Sequence, residues 1–228
     1  MFGTSAITAI TAQNTVGVEA WSPIDPALVR AQIHAVAGDL RPRATKSGML
    51  STAAIVRVVA TALREHELFP YVLDPVFVSS SGTPLLDEEG VQWLTRELLP
   101  LASIVTPNLA EAEALTGERV SDPDTMGRAA RALVDRYGAR AALVTGGHLG
   151  GDDVVDVYFD GTTAPQRIRG QRIRTRHTHG TGCTLSAAIT AHLALGVPLP
   201  TAVRRAIAYV RRGLRRAPGL GAGQGPLG

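Results

Sequence analysis

The chain has 228 residues, 45% of them hydrophobic, and a formal net charge of +3 at pH 7, which suits one domain with a substantial core. A single cysteine excludes an internal disulfide framework and a multi-cysteine zinc site. No apolar run approaches membrane-spanning length, and no basic segment leads into a secretory core, so we expect a cytoplasmic protein with no membrane partner.

Arginine supplies most of the positive charge and clusters late in the chain. On a helix these arginines would spread around several faces, and few aromatic residues lie between them, so a nucleic-acid partner is not expected. A solvated helix, or a surface that attracts anionic nucleotides, is the preferred interpretation. The arginines are Arg204, Arg205, Arg211, Arg212, Arg215 and Arg216.

The first half of the chain alternates strand and helix patterns. Small polar and apolar side chains alternate over residues 5–11, which predicts a strand that leads to Gln13. Pro26 opens a helical pattern, and Ser51 is the expected N-cap of a helix over residues 53–64. The other predicted elements are an extended piece at 44–46, a buried strand at 71–73, a loop at 79–82 and a helix at 87–98.

The second half continues the alternation. Asp122 is the expected N-cap of a helix that begins with Pro123. Two strands, at 154–159 and 166–174, are predicted to form a hairpin around Asp160 and Gly161. The remaining predicted elements are strands at 103–105 and 141–144, helices at 109–115 and 123–137, and long helices that start at Cys183 and Leu199.

Strands that alternate with helices predict an α/β fold with a mostly parallel sheet covered on both faces. Ligands bind such sheets beyond the carboxyl ends of the strands. Unusual residues follow the predicted strands repeatedly, which predicts a ligand site at that edge of the sheet. They are Gln13, Met49, Asp74, Asn108, Gly147 and the turn at Gly180.

The turn formed by Gly180, Thr181 and Gly182 precedes the helix that Cys183 opens. The first amides of a helix lack partners and lie at the positive end of its dipole, so this turn predicts an anion site. A thiol at a helix N-terminus is expected to have a lowered pKa. The alternatives are a plain strand-to-helix connection and a buried, inert cysteine.

Asn108 and Glu111 are three residues apart at a strand-to-helix junction, so one helical turn can direct both at one ligand. Their oxygen atoms suit Mg²⁺; alternatively, Asn108 caps the helix and Glu111 complements its dipole. Asp74 either orients a metal-bound water or satisfies the N–H groups of its turn. Polar roles are preferred to metal binding for the histidines, which are His148, His177 and His179.

Several motifs in order resemble the hydroxymethylpyrimidine/phosphomethylpyrimidine kinases of thiamine biosynthesis, in the ribokinase-like superfamily. The resemblance covers nearly the whole chain and implies one three-layer kinase domain over residues 1–228. The motifs are TAQNT at 11–15, KSGML at 46–50, DPV at 74–76, TPNLAEAEALTG at 106–117, HGTGCTLSAAI at 179–189 and APGLGAGQGPL at 217–227.

The resemblance implies phosphorylation of 4-amino-5-hydroxymethyl-2-methylpyrimidine, and then of its monophosphate, with ATP and Mg²⁺. Pyridoxal kinase-like activity and a non-catalytic ligand-binding remnant are the alternatives, and a homodimer is the assembly considered. The implied pyrimidine pocket is lined by Gln13, Met49 and Val76. The implied nucleotide residues are Asn108, Glu111, Thr145 and Gly147, and the metal residues are Glu111 and Asp74. The implied anion hole comprises Gly180, Thr181, Gly182 and Cys183, whose thiolate would serve as the base.

Two departures from the family pattern bear on activity. The family begins with a strand and a glycine-rich SGGGAG-type segment, whereas this chain starts in what we expect to be the second strand. A chain without that strand would expose sheet edges and apolar surface, so reduced or lost activity, or a start placed too far downstream, is expected. Relatives often have KGGH where this chain has Thr145, Gly146, Gly147 and His148, so a cation for the ATP phosphates is expected to be missing.

Overall fold

The first strands form a hairpin apart from the main sheet. The computed structural model describes residues 2–78, 82 and 84–228, and in it β1 (Ala9–Gln13) pairs only with β2 (Val18–Pro23), antiparallel. Asn14 stabilises the turn, because its Oδ1 accepts hydrogen bonds from two turn amides. The strand predicted over residues 5–11 is observed as β1, so it begins later in the chain than predicted. Its expected place in the main sheet is wrong, because β1 is mostly exposed whereas a central parallel strand is buried on both faces.

A six-stranded sheet forms the centre of the protein, in the order β3-β4-β5-β6-β7-β8. The first four strands run parallel, while β7 is antiparallel to both β6 and β8. This confirms the predicted, mostly parallel sheet and the hairpin predicted around Asp160 and Gly161. The strands are β3 (Thr45–Ser47), β4 (Tyr71–Leu73), β5 (Ile104–Val105), β6 (Ala142–Val144), β7 (Asp153–Phe159) and β8 (Gln166–Gln171).

Helices follow most strands, as predicted, and none in the described ranges is long and apolar enough to span a membrane. The third helix, Glu88–Trp93, continues into a π-helical turn (Leu94–Leu98) and a 3₁₀ turn (Leu99–Leu101). Of the predicted loop at 79–82, residues 79–81 lie outside the described residues. The helices are α1 (Pro26–Leu40), α2 (Ala53–Glu65), α3 (Glu88–Trp93), α4 (Leu109–Thr116), α5 (Pro123–Asp135), α6 (Thr181–Ala194) and α7 (Leu199–Arg215).

Side-chain caps fix several helix starts. Asp122 accepts hydrogen bonds from the amides of Asp124 and Thr125, so its predicted role is confirmed. The predicted cap Ser51 is wrong. Its φ of 63° lies in the left-handed region and its Oγ bonds to the carbonyl of Leu50, so Thr52 caps α2 instead.

The sheet separates two apolar layers, since successive side chains of a strand point to opposite faces. Leu73 packs with α2 and α5 on one face, whereas Val72 packs with α6 and α7 on the other. This three-layer α/β arrangement confirms the predicted fold class. It also places the start of α6 beside the carboxyl ends of β3 and β4, where the site forms.

Ile189 tests this packing of α6. It is completely buried against the sheet, so Ile189→Ala should lower the free energy of unfolding by about 2–5 kcal/mol through lost burial and a cavity. Leu195, just beyond α6, is 67% exposed, and Leu195→Ala should change it by less than about 0.5 kcal/mol. Urea unfolding followed by circular dichroism measures both. Equal losses in the two variants would contradict the packing.

Candidate active site

Asp74 is the centre of a polar cluster at the carboxyl end of β4. It is only 4% exposed, and its Oδ2 accepts a hydrogen bond of 2.9 Å from Ser186 Oγ of α6. Lys46 Nζ of β3 donates to the same Ser186 Oγ at 3.2 Å and lies 3.6 Å from Asp74 Oδ2. The cluster therefore joins two strands of the sheet to one helix.

This cluster supplies a cation that sequence reasoning did not assign. Lys46 lies in the quoted KSGML motif, but only the fold brings it to Asp74 and α6. Ser186 follows Cys183 by three residues and thus shares its helix face, a spacing that could have identified it. The cation expected to be missing is a lysine at position 145, where this chain has Thr145, and Lys46 is a cation at a different place, beside Asp74.

Asp74 and Glu111 are buried carboxyl groups, and the charge of Asp74 acts on Glu111. Burial raises the pKa of Asp74, opposed by Lys46 and by the hydrogen bond from Ser186. Burial also raises the pKa of Glu111 to about 8, opposed by the backbone N–H groups of Asn108 and Phe77, while the charge of Asp74 raises it further. The carboxyl ends of β4 and β5 thus place two acids in one desolvated site.

Asn108 and Glu111 form a capping box at the start of α4. Asn108 Oδ1 accepts from the Glu111 amide at 3.0 Å, and Glu111 Oε2 accepts from the Asn108 amide at 2.8 Å. The capping alternative is therefore present in the structure. Asn108 also pairs with Thr145, whose amide donates to the Pro107 carbonyl, so the ends of β5 and β6 lie side by side.

The segment after β6 is glycine-rich and open on one side. Gly146 is buried, and its amide donates to Asp156 Oδ1 at 2.9 Å. A Cβ at Gly146 would lie 2.0 Å from the Val155 carbonyl oxygen, so no side chain fits there. Gly147 is exposed, and a Cβ there would meet no atom of the described part of the chain within 4 Å. Burial raises the pKa of Asp156, opposed by the Gly146 amide and by Arg211.

The N-terminus of α6 presents amides without partners. The helix begins at Thr181 rather than at the predicted Cys183, with Gly180 as an N-cap in the left-handed region. Among the described residues no side chain caps this helix, and Thr184 makes the first helical bond, to the Gly180 carbonyl. Thr181 donates to Thr178. Within the described ranges the amides of Gly182 and Cys183 have no acceptor, which leaves them available to an anion.

The prediction of a lowered thiol pKa for Cys183 is wrong. Although the residue as a whole is exposed, desolvation is the largest cause that raises the pKa of its thiol. The charge of Asp74 and a hydrogen bond to that carboxyl group raise it too, and Lys46 opposes them. The position of the thiol at a helix N-terminus is therefore not the only influence on its pKa, because the charges of Asp74 and Glu111 raise it.

The expected pyrimidine residues occupy two regions. Met49 and Val76 are half-buried beyond the ends of β3 and β4, whereas Gln13 is exposed at the end of β1 and so does not follow a strand of the main sheet. Thr8 Oγ1 donates to the Met49 carbonyl at 2.6 Å, which attaches the hairpin to this region. The structure therefore gathers two of the three residues at the sheet edge.

An α/β sandwich with buried acids and an uncapped helix N-terminus at the carboxyl edge of its sheet agrees with the predicted ribokinase-like fold. The family model described as "Phosphomethylpyrimidine kinase" matches residues 1–228. The chain belongs to this family.

Individual relatives agree with this assignment. The chain is 49% identical over 226 residues to a hydroxymethylpyrimidine/phosphomethylpyrimidine kinase of Rhizobium meliloti, covering 99% of this chain and 84% of that protein. It is 45% identical to the thiamine biosynthesis bifunctional protein ThiED of Geobacter sulfurreducens, covering 99% of this chain but only 46% of that protein. Among solved structures, an ADP complex of Bacillus subtilis pyridoxal kinase matches with a TM-score of 0.90 and 34% identity, covering 99% of this chain and 85% of that one.

Glu111 should make stability depend on pH. Because its pKa in the folded protein is raised from 4.5 to about 8, the folded state holds a proton that the unfolded chain releases between these values. Its contribution is therefore fully present below the lower value and lost as the pH rises through the higher one. Glu111→Gln cannot titrate, so its free energy of unfolding should fall less than that of the wild type between about pH 5 and about pH 8.

Urea unfolding at the two pH values measures this difference. Glu118→Gln is the matched control, because Glu118 is exposed just beyond α4, and it should follow the wild type. A decline in Glu111→Gln as steep as in the wild type would contradict the protonation of Glu111.

Proposed function

We propose that the chain transfers the terminal phosphoryl group of ATP to the hydroxymethyl group of 4-amino-5-hydroxymethyl-2-methylpyrimidine, and then phosphorylates the monophosphate. The observation that carries this proposal is the placement of buried Asp74 beside an uncapped α6 N-terminus. Amides with no other acceptor meet phosphoryl oxygens without reorganisation, which is the main requirement of phosphoryl transfer. Membership of the phosphomethylpyrimidine kinase family supports the choice of substrate.

The donor set fits Mg²⁺. The described residues contain no group of three or more His, Cys, Asp or Glu side chains that could hold a metal ion. Mg²⁺ in kinases is instead held by one or two carboxylates together with substrate phosphates and water, and Asp74 and Glu111 are buried oxygen donors of this kind. Bound there, Mg²⁺ would neutralise phosphate charge and favour the ionised form of both carboxyl groups.

Asn108, Thr145 and Gly147 would contact the nucleotide. The pairing of Asn108 with Thr145 supports this assignment, since it brings two strand ends to one place, and Gly147 leaves space for a ligand. Lys46 Nζ lies next to the cluster at the start of α6. It would offset negative charge there.

Cys183 would accept the proton of the substrate hydroxyl group. Its thiol pKa is raised by desolvation and by the charge of Asp74, with a smaller effect of Glu111. Neutralisation of those two carboxylates would therefore favour the thiolate, and Lys46 acts in the same direction. Met49 and Val76 would contact the pyrimidine ring, and Gln13 would hydrogen-bond to it from the hairpin.

Pyridoxal is the second candidate substrate. The fold matches that of a pyridoxal kinase with a TM-score of 0.90, and both alcohols are hydroxymethyl groups on nitrogen heterocycles. The identity to that kinase is 34%, against 49% to the Rhizobium meliloti relative. The pyrimidine is therefore the preferred substrate.

ADP release should require ATP, Mg²⁺ and the pyrimidine alcohol together, because the acidic site accepts phosphates only with a divalent cation. A coupled assay for ADP measures this, and pyridoxal added in competition should inhibit only weakly. Absence of turnover in well-folded protein would refute the kinase proposal. Binding of the pyrimidine in calorimetry without turnover would then identify a ligand-binding remnant.

Cys183→Ala should lower kcat by about 10²- to 10⁴-fold, the usual contribution of a general base, while the melting temperature stays close to that of the wild type. Thr184→Ala is the neighbouring control on α6 and should leave kcat nearly unchanged. A wild-type kcat in Cys183→Ala would show that the thiol takes no part in proton transfer.

A further inference from the structure

The loop between β6 and β7, residues 145–152, contains Gly147 of the proposed nucleotide site. Its first residues are fixed by the body of the protein, since Thr145 donates to Pro107 and Gly146 donates to buried Asp156. The stretch from Gly147 to Gly151 includes three glycines and has less internal support. Glycine reduces the stiffness of the backbone, so another group must hold this stretch in one conformation.

Arg172 supplies that support from outside the loop. It follows β8, and each nitrogen of its guanidinium group donates to a different loop carbonyl. Nε donates to Gly151 at 2.8 Å, Nη1 donates to Gly147 at 2.8 Å, and Nη2 donates to Leu149. The Arg172 amide also donates to the Asp152 carbonyl at 2.7 Å. A planar guanidinium group can satisfy three carbonyls at once, which the ammonium group of lysine cannot do with the same geometry.

The charge of Arg172 is not used in an ion pair within the described ranges. Its neighbour Arg174 differs in this respect. Arg174 pairs with Asp152 at 2.7 Å, and both side chains are more than four-fifths exposed. The guanidinium group of Arg172 donates all three of these hydrogen bonds to one glycine-rich loop and so stabilises the conformation of that loop. An exposed ion pair such as that of Arg174 contributes little to stability.

We infer that Arg172 is a positioning residue that holds the Gly147–Gly151 stretch in the conformation that receives the nucleotide. The inference rests on the proposed function, since it takes Gly147 as a nucleotide contact. Arg172 acts through the loop carbonyls and leaves the open side of Gly147 available to phosphate oxygens. A loop that is already ordered loses less conformational entropy when the nucleotide binds. Removal of Arg172 should therefore weaken the affinity for the nucleotide.

Arg172→Gln should raise KM for ATP by about tenfold, the lower end of the effect of groups that orient a ligand-binding group. The kcat and the KM for the pyrimidine should stay near their wild-type values, because neither involves this loop. Arg172→Lys should show most of the same loss, since the charge alone cannot replace the three donors. Arg174→Gln is the matched control and should behave as the wild type.

Hydrogen exchange of the Gly147–Gly151 amides gives a readout that does not depend on turnover. Exchange should accelerate in Arg172→Gln and stay unchanged in Arg174→Gln. Wild-type KM for ATP in Arg172→Gln, or an equal rise in Arg174→Gln, overturns the inference whatever the exchange rates are. If Arg172→Gln fails to fold, Arg172→Lys carries the same comparison. Absence of turnover in the wild type would instead refute the proposed function, and exchange together with calorimetric ADP affinity would then decide the role of Arg172.

Discussion

The hydrogen bond from Ser186 to Asp74 is the contact on which the site depends. A carboxyl group at the end of a central strand can stay buried only if hydrogen bonds and nearby charge compensate for lost hydration. Ser186 and Lys46 provide both, and in doing so they attach α6 to β3 and β4. The contact that stabilises the buried carboxyl group of Asp74 therefore also positions the unpaired amides at the N-terminus of α6.

This arrangement leaves the site short of positive charge. Asp74, Glu111 and the Cys183 thiol each have a raised pKa because of desolvation, and the negative charge of Asp74 raises the pKa of the other two groups further. Lys46 compensates for only part of that negative charge. A divalent cation that binds together with a nucleotide would compensate for this negative charge. It would bind the carboxylates of Asp74 and Glu111 and so remove their effect on the pKa of the Cys183 thiol.

The sequence predicted the fold well because helices and strands alternate with clear caps and periodicity, as at Asp122 and over α6. It failed where tertiary contacts decide. Residues 5–11 have a strand pattern, but nothing local shows that β1 pairs with β2 instead of entering the main sheet. Ser51 and Thr52 are both plausible caps until the left-handed backbone of Ser51 is known. Ser186 contacts Asp74 across 112 residues, and no spacing rule links such distant positions.

The amides of Gly182 and Cys183 are proposed to contact the phosphoryl group during its transfer. A crystal structure with ADP, Mg²⁺, aluminium fluoride and the pyrimidine alcohol tests it directly, because planar aluminium fluoride mimics that group. We expect fluorine atoms within hydrogen-bond distance of both amides, at about 3 Å, and a metal ion held by the carboxylates of Asp74 and Glu111. Aluminium fluoride bound elsewhere, with these amides facing solvent or a protein carbonyl, would contradict it.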